Sequence, residues 1–468
     1  MEAAMNKFAD LEDRARAAGA EDIRAKDVEL TEDGVALAFS ERFRDRLRFD
    51  HDVGAWYEWT GDHWRIDRTD LAFSWCRRVA RELSEGTPER VKERVRKRGF
   101  AGGVEAFARS DRAHAVRQDE WDQDPFILGV PGGAIDLRTG DALDPEPASG
   151  LTKRAAVAPS LVPDCPTWMR FLTEATSGDA GMIEFLRRWC GYCLTGDTRE
   201  HALIFLYGPG GNGKSVFLNT VTRIMGDYAT TAAMDTFTAS RGDKHPTELA
   251  LLRGARLVSA SETEEGRAWA EARIKQMTGG DPISARFMRQ DFFTYTPAFK
   301  LTIVGNHAPA LANVDEAARR RFNIVPFTVK PEQPDRELEA KLRVEWPGIL
   351  RWMIGGAVAW RREGLERPQS VVDATANYFG EQDLVRQWLD DACILEPGNE
   401  HRWETSADLF RNWTDYAKSN GEEPGTAKSM APRLRRQGLR DMPRKISGKT
   451  YRGWQGVTIN RPEVPGNG

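Results

Sequence analysis

Apolar and polar positions change their period several times along this chain, and the changes mark its elements. Leu203-Ile-Phe-Leu-Tyr207 is an unbroken apolar run, and Val216 to Met225 behind it has the spacing of an amphipathic helix. Further apolar runs follow at Arg256-Leu-Val-Ser-Ala260, Phe299 to Val304 and Asn323 to Phe327, with helical patterns between them. Strands alternating with helices predict a mainly parallel α/β sheet. Ahead of it, Trp168 to Leu194 reads as helical. Further upstream, Trp56 to Trp64 alternates around Gly61-Asp62 and predicts a β-hairpin, and Leu128 to Gly140 predicts short strands between turns. Glu82 to Arg98 has helical spacing, its Arg/Lys run a solvated face. Downstream, Leu384 to Cys393 and Ser406 to Ser419 read as helices, the second capped at Thr405-Ser406. The tail, Arg461 to Gly468, is rich in proline and glycine and is expected to be loose.

A length of 468 residues implies about three domains. Apolar content of 40% and charged content of 29%, with no apolar run near the roughly 18 residues of a membrane span, exclude the membrane-spanning helical class. Met1 to Ala20 has no apolar core and reads as no secretory signal. The five cysteines are odd in number and scattered, which suits a reducing cytoplasm. Cys190-Gly-Tyr-Cys193 lacks the second ligand pair a zinc site needs, so it reads as two core or helix-face thiols. The net charge of −4 confines any nucleic-acid surface to local basic patches.

The sharpest chemical signal is Gly208-Pro-Gly-Gly-Asn-Gly-Lys214-Ser215, placed between an apolar run and a helical pattern. In that context the spacing predicts a phosphate-binding loop. Glycines let backbone N–H groups approach phosphates, the helix dipole adds to them, Lys214 reaches the β- and γ-phosphates, and Ser215 ligates magnesium. Glu262 follows the next long apolar run and is the candidate acid for metal and water, with Glu264 and Glu265 beside it; a solvent-facing acidic turn is the other reading. Asn306, after Leu301 to Val304, is placed to orient water or simply to shape a turn. Arg286 and Arg289 lie among aromatics in a predicted hairpin, the composition of a single-strand channel or of an ordinary hairpin. Arg319-Arg320-Arg321 offers an arginine finger or merely complements a helix dipole. Lys428, Arg433, Arg435, Arg436, Arg440, Arg444, Lys445, Lys449 and Arg452 make the end of the chain a candidate phosphate-contact surface or a docking face.

In order, these segments resemble superfamily 3 helicases, in particular the helicase part of phage and plasmid primase-helicases and the poxvirus-type nucleoside triphosphatase. The motifs that carry the resemblance are Gly208–Ser215, Arg253 to Glu262, Lys275 to Asp281, Gly305-Asn-His307, Asp315-Glu316 with Arg320-Arg321, and Val325-Pro-Phe327. Upstream, Trp56 to Gly61, Gly129 to Gly140, Leu151-Thr-Lys-Arg154 and Trp189 to Gly196 add to it.

The resemblance implies an AAA+-like P-loop ATPase core at 166–372, an N-terminal α+β domain at 1–165 and a C-terminal winged-helix DNA-binding domain at 373–468. It implies ATP and Mg2+, cradled by Gly208, Pro209, Gly210, Gly211, Asn212, Gly213, Lys214, Ser215 and Val216. Glu262 would activate water and share the metal with Ser215, Asn306 would be the sensor, and Arg320 or Arg321 the finger reaching a neighbouring subunit. Lys275, Arg286, Arg289, Arg433 and Arg436 are the implied DNA contacts. The expected protein is a cytoplasmic, homo-hexameric replication helicase on single-stranded DNA, with primer synthesis left to a separate primase or polymerase. The alternative is an ATP-switched initiator that binds origin duplex without processive unwinding.

Overall fold

The computed structural model describes residues 28–239, 246–261, 268–289, 291–306, 316–382, 384–420 and 424–461. The apolar runs become strands of one five-stranded sheet, in spatial order Phe322–Pro326, Leu203–Tyr207, Lys300–Gly305, Leu257–Ser261 and Ala229–Thr231. Every pairing in it is parallel, with Leu203 opposite Leu301 and Phe322, and Leu257 opposite Lys300. Counted along the chain, the order is 5-1-4-3-2.

The runs are continuous rather than alternating because both faces of the sheet are covered. Ile204 and Leu206 point into a core with Trp168, Trp189, Phe217 and Trp360. Leu203 and Phe205 point into the opposite core with Trp269, Leu301 and Phe322. The first core crosses position 165, since Leu128, Ile135 and Leu137 pack with Trp168 and Phe185.

Two helices stand where Trp168 to Leu194 predicts one, Pro166–Ala175 and Ala180–Leu194. The break is built from Ser177 and Gly178, both at positive φ, and from Asp179, whose side chain accepts from the Met182 N–H and caps the second helix. Trp168 stacks on Phe217 at 5.5 Å, which fixes the first helix against Lys214–Met225. The second packs on Trp346–Glu363, and a Cβ at Gly356 would fall 2.0 Å from the Arg187 carbonyl oxygen. Cys190 and Cys193 are buried free thiols on that second helix, their pKa values raised by burial, to about 12 at Cys193.

An N-terminal cluster gathers Val35, Phe39, Trp56, Trp75 and Val104 around a four-stranded sheet that contains the hairpin Ala55–Trp59 and Trp64–Ile66. The helical reading of Glu82 to Arg98 is interrupted: Leu71–Leu83 ends at Ser84, Glu89–Val95 starts after Pro88, and Arg98 opens a further helix. At the other end, Leu384–Ala392, Ser406–Ser419 and Ala427–Arg436 enclose Trp388, Leu409, Trp413 and Leu434 with short strands. Thr405 caps the second of these helices by accepting from the Asp408 N–H. No described helix is long and apolar enough to cross a membrane.

Candidate active site

The glycine-rich loop joins the C-terminal end of strand Leu203–Tyr207 to helix Lys214–Met225. At Gly208 (φ +152°) a Cβ would lie 1.9 Å from the Phe327 carbonyl oxygen, and at Gly213 (φ +85°) one would lie 2.6 Å from the Phe171 ring. The loop is therefore pressed between the residue after the edge strand and the helix Pro166–Ala175, and only glycine fits these contacts.

Asn212 is 3% exposed and works as a clamp. Its amide nitrogen donates to the Phe327 carbonyl, and its amide oxygen accepts from Lys214 Nζ at 2.9 Å. Lys214 also donates to the Gly208 carbonyl and, at 3.4 Å, to that of Pro209. Burial lowers its pKa. Oxygen partners from the loop thus hold the ammonium at the helix start, where the first-turn N–H groups lack helical acceptors.

The loop opens on a cavity of about 1140 Å3. Gly210 to Val216 line one side, while Ser261, Val304, Gly305 and Asn306 line the strand ends. Three adjacent parallel strands therefore deliver their C-terminal ends to one place, beside the point where the chain leaves strand one for the far edge of the sheet. Open α/β sheets bind ligands at such a point. Ser215 and Asn306 are exposed to this cavity. Glu262, Glu264 and Glu265 lie outside the described residues, although the strand leading to them ends on the cavity at Ser261.

Helix Glu316–Arg321 precedes the edge strand. Arg320 is exposed, and its carbonyl accepts from Arg367 Nη2 at 2.5 Å. Arg321 is half-buried and donates from Nη1 to the Ala317 carbonyl at 2.9 Å. Both are absent from the described lining of their own chain's cavity.

The hairpin Ile283–Ala285 and Phe293–Tyr295 carries Arg286 and Arg289 at its tip. Arg286 lies 4.6 Å from the centre of the Phe292 ring, and Arg289 has a positive φ of 61°. Phe287, Met288 and Phe292 are exposed beside them. Lys275 stands on the preceding helix, Glu271–Gly279, rather than on the hairpin. In the C-terminal part, Arg433 is half-buried and Arg436 exposed on helix Ala427–Arg436, and Lys445 and Lys449 are exposed on the hairpin Arg444–Ile446 and Lys449–Tyr451.

Several contributors are missing from the sequence reading. Phe171 shapes the loop from a distant position, and no local motif announces it; Phe327 stands in the Val325-Pro-Phe327 motif, but the contact of its carbonyl with Asn212 and Gly208 is not implied by that motif. Thr167, Arg170 and Glu174 line the cavity from helix Pro166–Ala175, and Val329 to Asp335 line it from the opposite wall. The i, i+3, i+7 spacing of the first three, set against buried Trp168 and Leu172, is the signal that marks them as one exposed face.

Residues 36–177 match the family described as D5 N terminal like, and residues 206–321 match a family of unknown function, DUF5906. The chain is 25% identical over 303 residues to the putative helicase 022R of Frog virus 3 (isolate Goorha), the match covering 60% of this chain and 30% of that protein. It is 24% identical over 324 residues to the putative helicase L207/L206 of Acanthamoeba polyphaga mimivirus, covering 64% of this chain and 34% of that protein. The chain thus spans about a third of the length of the curated relatives it matches. Among solved structures, the apo C terminal region of NrS-1 is similar at 13% identity with a TM-score of 0.48, covering 87% of this chain and 95% of that one. Through these matches the chain is related to viral proteins that carry the helicase name.

Proposed function

We propose that this chain is an ATP-driven DNA helicase of phage, prophage or plasmid replication, acting on single-stranded DNA as a ring oligomer. The observation that carries the reading is the convergence of Lys214, Ser215, Ser261 and Asn306 on one cavity at the C-terminal edge of a parallel sheet. A glycine loop, a buried lysine and a helix N-terminus form the apparatus that binds a triphosphate, and the relationship to viral proteins named as helicases supports this use of it.

On this reading Gly208–Ser215 is a P-loop in an AAA+-like core of superfamily 3 type. Lys214 exchanges its loop oxygens for phosphate oxygens. Asn306 orients the attacking water, Glu262 serves as its base, and Arg320 or Arg321 acts on the nucleotide of a neighbouring subunit. Mg2+ fits the exposed Ser215 hydroxyl, a hard oxygen donor beside the phosphate end of the cavity, because this ion takes few protein oxygens and completes its shell with phosphate and water. When bound it supplies charge neutralisation on the phosphates. The exposed arginines and rings of the hairpin tip suit a single strand, and the C-terminal module, as a winged helix, suits phosphates of a duplex.

Hydrolysis of ATP by the purified chain with Mg2+, compared with Lys214→Ala, tests the core of the reading. A loss of at least about 100-fold in kcat is expected. Equal rates in the two proteins would remove the catalytic role from this loop.

A further inference from the structure

The cavity extends well beyond the glycine loop, and its second half has a different character. One wall is helix Pro166–Ala175, which presents Thr167, Arg170, Phe171 and Glu174, one face at i, i+3, i+4 and i+7. The other wall is the strap Val329 to Asp335, punctuated by Pro331 and Pro334, together with the first turns of helix Leu338–Val344. The floor between them is apolar, built from Phe171, Ala175, Val329 and Leu338. The rim is charged. Lys341 Nζ is 2.6 Å from Asp335 Oδ2, and the charge of Arg170 acts on the same carboxylate from the opposite wall. Arg170, Glu174, Asp335 and Lys341 are all exposed.

We propose that this half is a nucleoside subsite, with the base lying between the Arg170 face of helix Pro166–Ala175 and the Val329–Asp335 strap, and with Arg170 as its anchoring cation. The proposal rests on the nucleotide reading of the glycine loop. A ligand whose triphosphate occupies that loop carries at its other end a flat, largely apolar heteroaromatic ring and a hydroxylated sugar. An apolar floor with a polar rim is complementary to that end, as in ligand pockets generally. A guanidinium also stacks on π-faces, which an ammonium on a flexible stem does less well. Phe171 serves both halves, because its ring packs against Gly213 while its helix forms the wall.

The test compares two probes by calorimetry, ATP and inorganic tripolyphosphate, which shares the phosphates and lacks the nucleoside. Arg170→Ala is expected to weaken ATP by about 10-fold and tripolyphosphate by less than about 2-fold. Leu338→Trp, which fills the slot from the floor, is expected to do the same. Lys214→Ala is expected to weaken both probes. If Arg170→Ala and Leu338→Trp shift the two probes equally, or shift neither, the subsite is wrong while the loop stands. If the unaltered protein binds neither probe, both the subsite and the nucleotide reading beneath it fall.

Discussion

At Lys214 the balance of forces is set by one side chain and its oxygens. Burial disfavours the ammonium, and the Gly208, Pro209 and Asn212 oxygens compensate for the water it has lost. The glycines beside it differ sharply in what they tolerate. Gly213 combines φ +85° with a Cβ position 2.6 Å from Phe171, whereas Gly210 has open space around it and is not among the positive-φ residues. Gly213→Ala is therefore expected to destabilise the protein by at least about 1 kcal/mol, from left-handed backbone strain before any displacement of the ring. Gly210→Ala should stay within about 0.5 kcal/mol. Urea unfolding of the two variants separates them, and equal midpoints would show that the loop yields at Gly213.

At the scale of elements, strand Lys300–Gly305 links the cavity to the far side of the sheet. Its C-terminal end delivers Asn306 to the site, and its first residue, Lys300, is 1% exposed. Lys300 Nζ lies within hydrogen-bond reach of the Thr195, Asp197 and Ala298 carbonyl oxygens and 4.8 Å from the centre of the Tyr192 ring, so it pins the strand to the end of helix Ala180–Leu194. Burial nevertheless dominates and pushes its pKa from 10.5 down to about 7. Between those values the unfolded chain holds a proton that the folded chain does not. Stability must then rise with pH across that window, by up to about 1.4 kcal/mol per unit, and fall as pH drops through it until the folded lysine protonates near 7. Lys300→Met should flatten this slope in denaturant titrations at pH 7, 8 and 9. An unchanged slope would assign the pH dependence to other groups.

The hairpin tip makes a second prediction at this scale. For binding of a single strand, each phosphate contact removed at Arg286 or Arg289 should shallow the plot of log K against log salt by about 0.7. Unchanged slopes in both alanine variants would move the DNA contact elsewhere.

Much at this scale was legible in sequence because it is local. The loop between an apolar run and an amphipathic run, the Thr405 cap, and the hairpin around Gly61-Asp62 are each decided within a few residues. The break at Ser177 to Asp179 escaped because apolar spacing continues across it, while the turn depends on backbone conformations that periodicity does not report. The clamp from Asn212 to Phe327 and the strap at Val329 to Asp335 join segments more than a hundred residues apart, and the Phe171 contact reaches Gly213 from helix Pro166–Ala175, two elements upstream of the loop strand. The clamp and the strap follow from the strand order, which sets the edge strand beside the loop strand.

For the whole molecule, the position of Arg320 and Arg321 matters most. Among the described residues they lie away from the cavity lining of their own chain, which suits a role at a neighbour's nucleotide. Arg320→Ala is then expected to keep ATP binding and to lose about 1000-fold in kcat. Mixing it with Lys214→Ala should restore part of the hydrolysis, because some interfaces then pair an intact lysine with an intact arginine. Two inactive variants that stay inactive when mixed would argue for an arginine acting within its own chain, or for none.

The most direct measurement of the central claim is ATP hydrolysis with and without single-stranded DNA, run beside strand displacement on a forked duplex. DNA-stimulated hydrolysis with unwinding, both lost in Lys214→Ala, is the predicted result. Hydrolysis without unwinding, accompanied by tight binding of duplex through the C-terminal module, would contradict the helicase reading and describe an ATP-switched initiator instead.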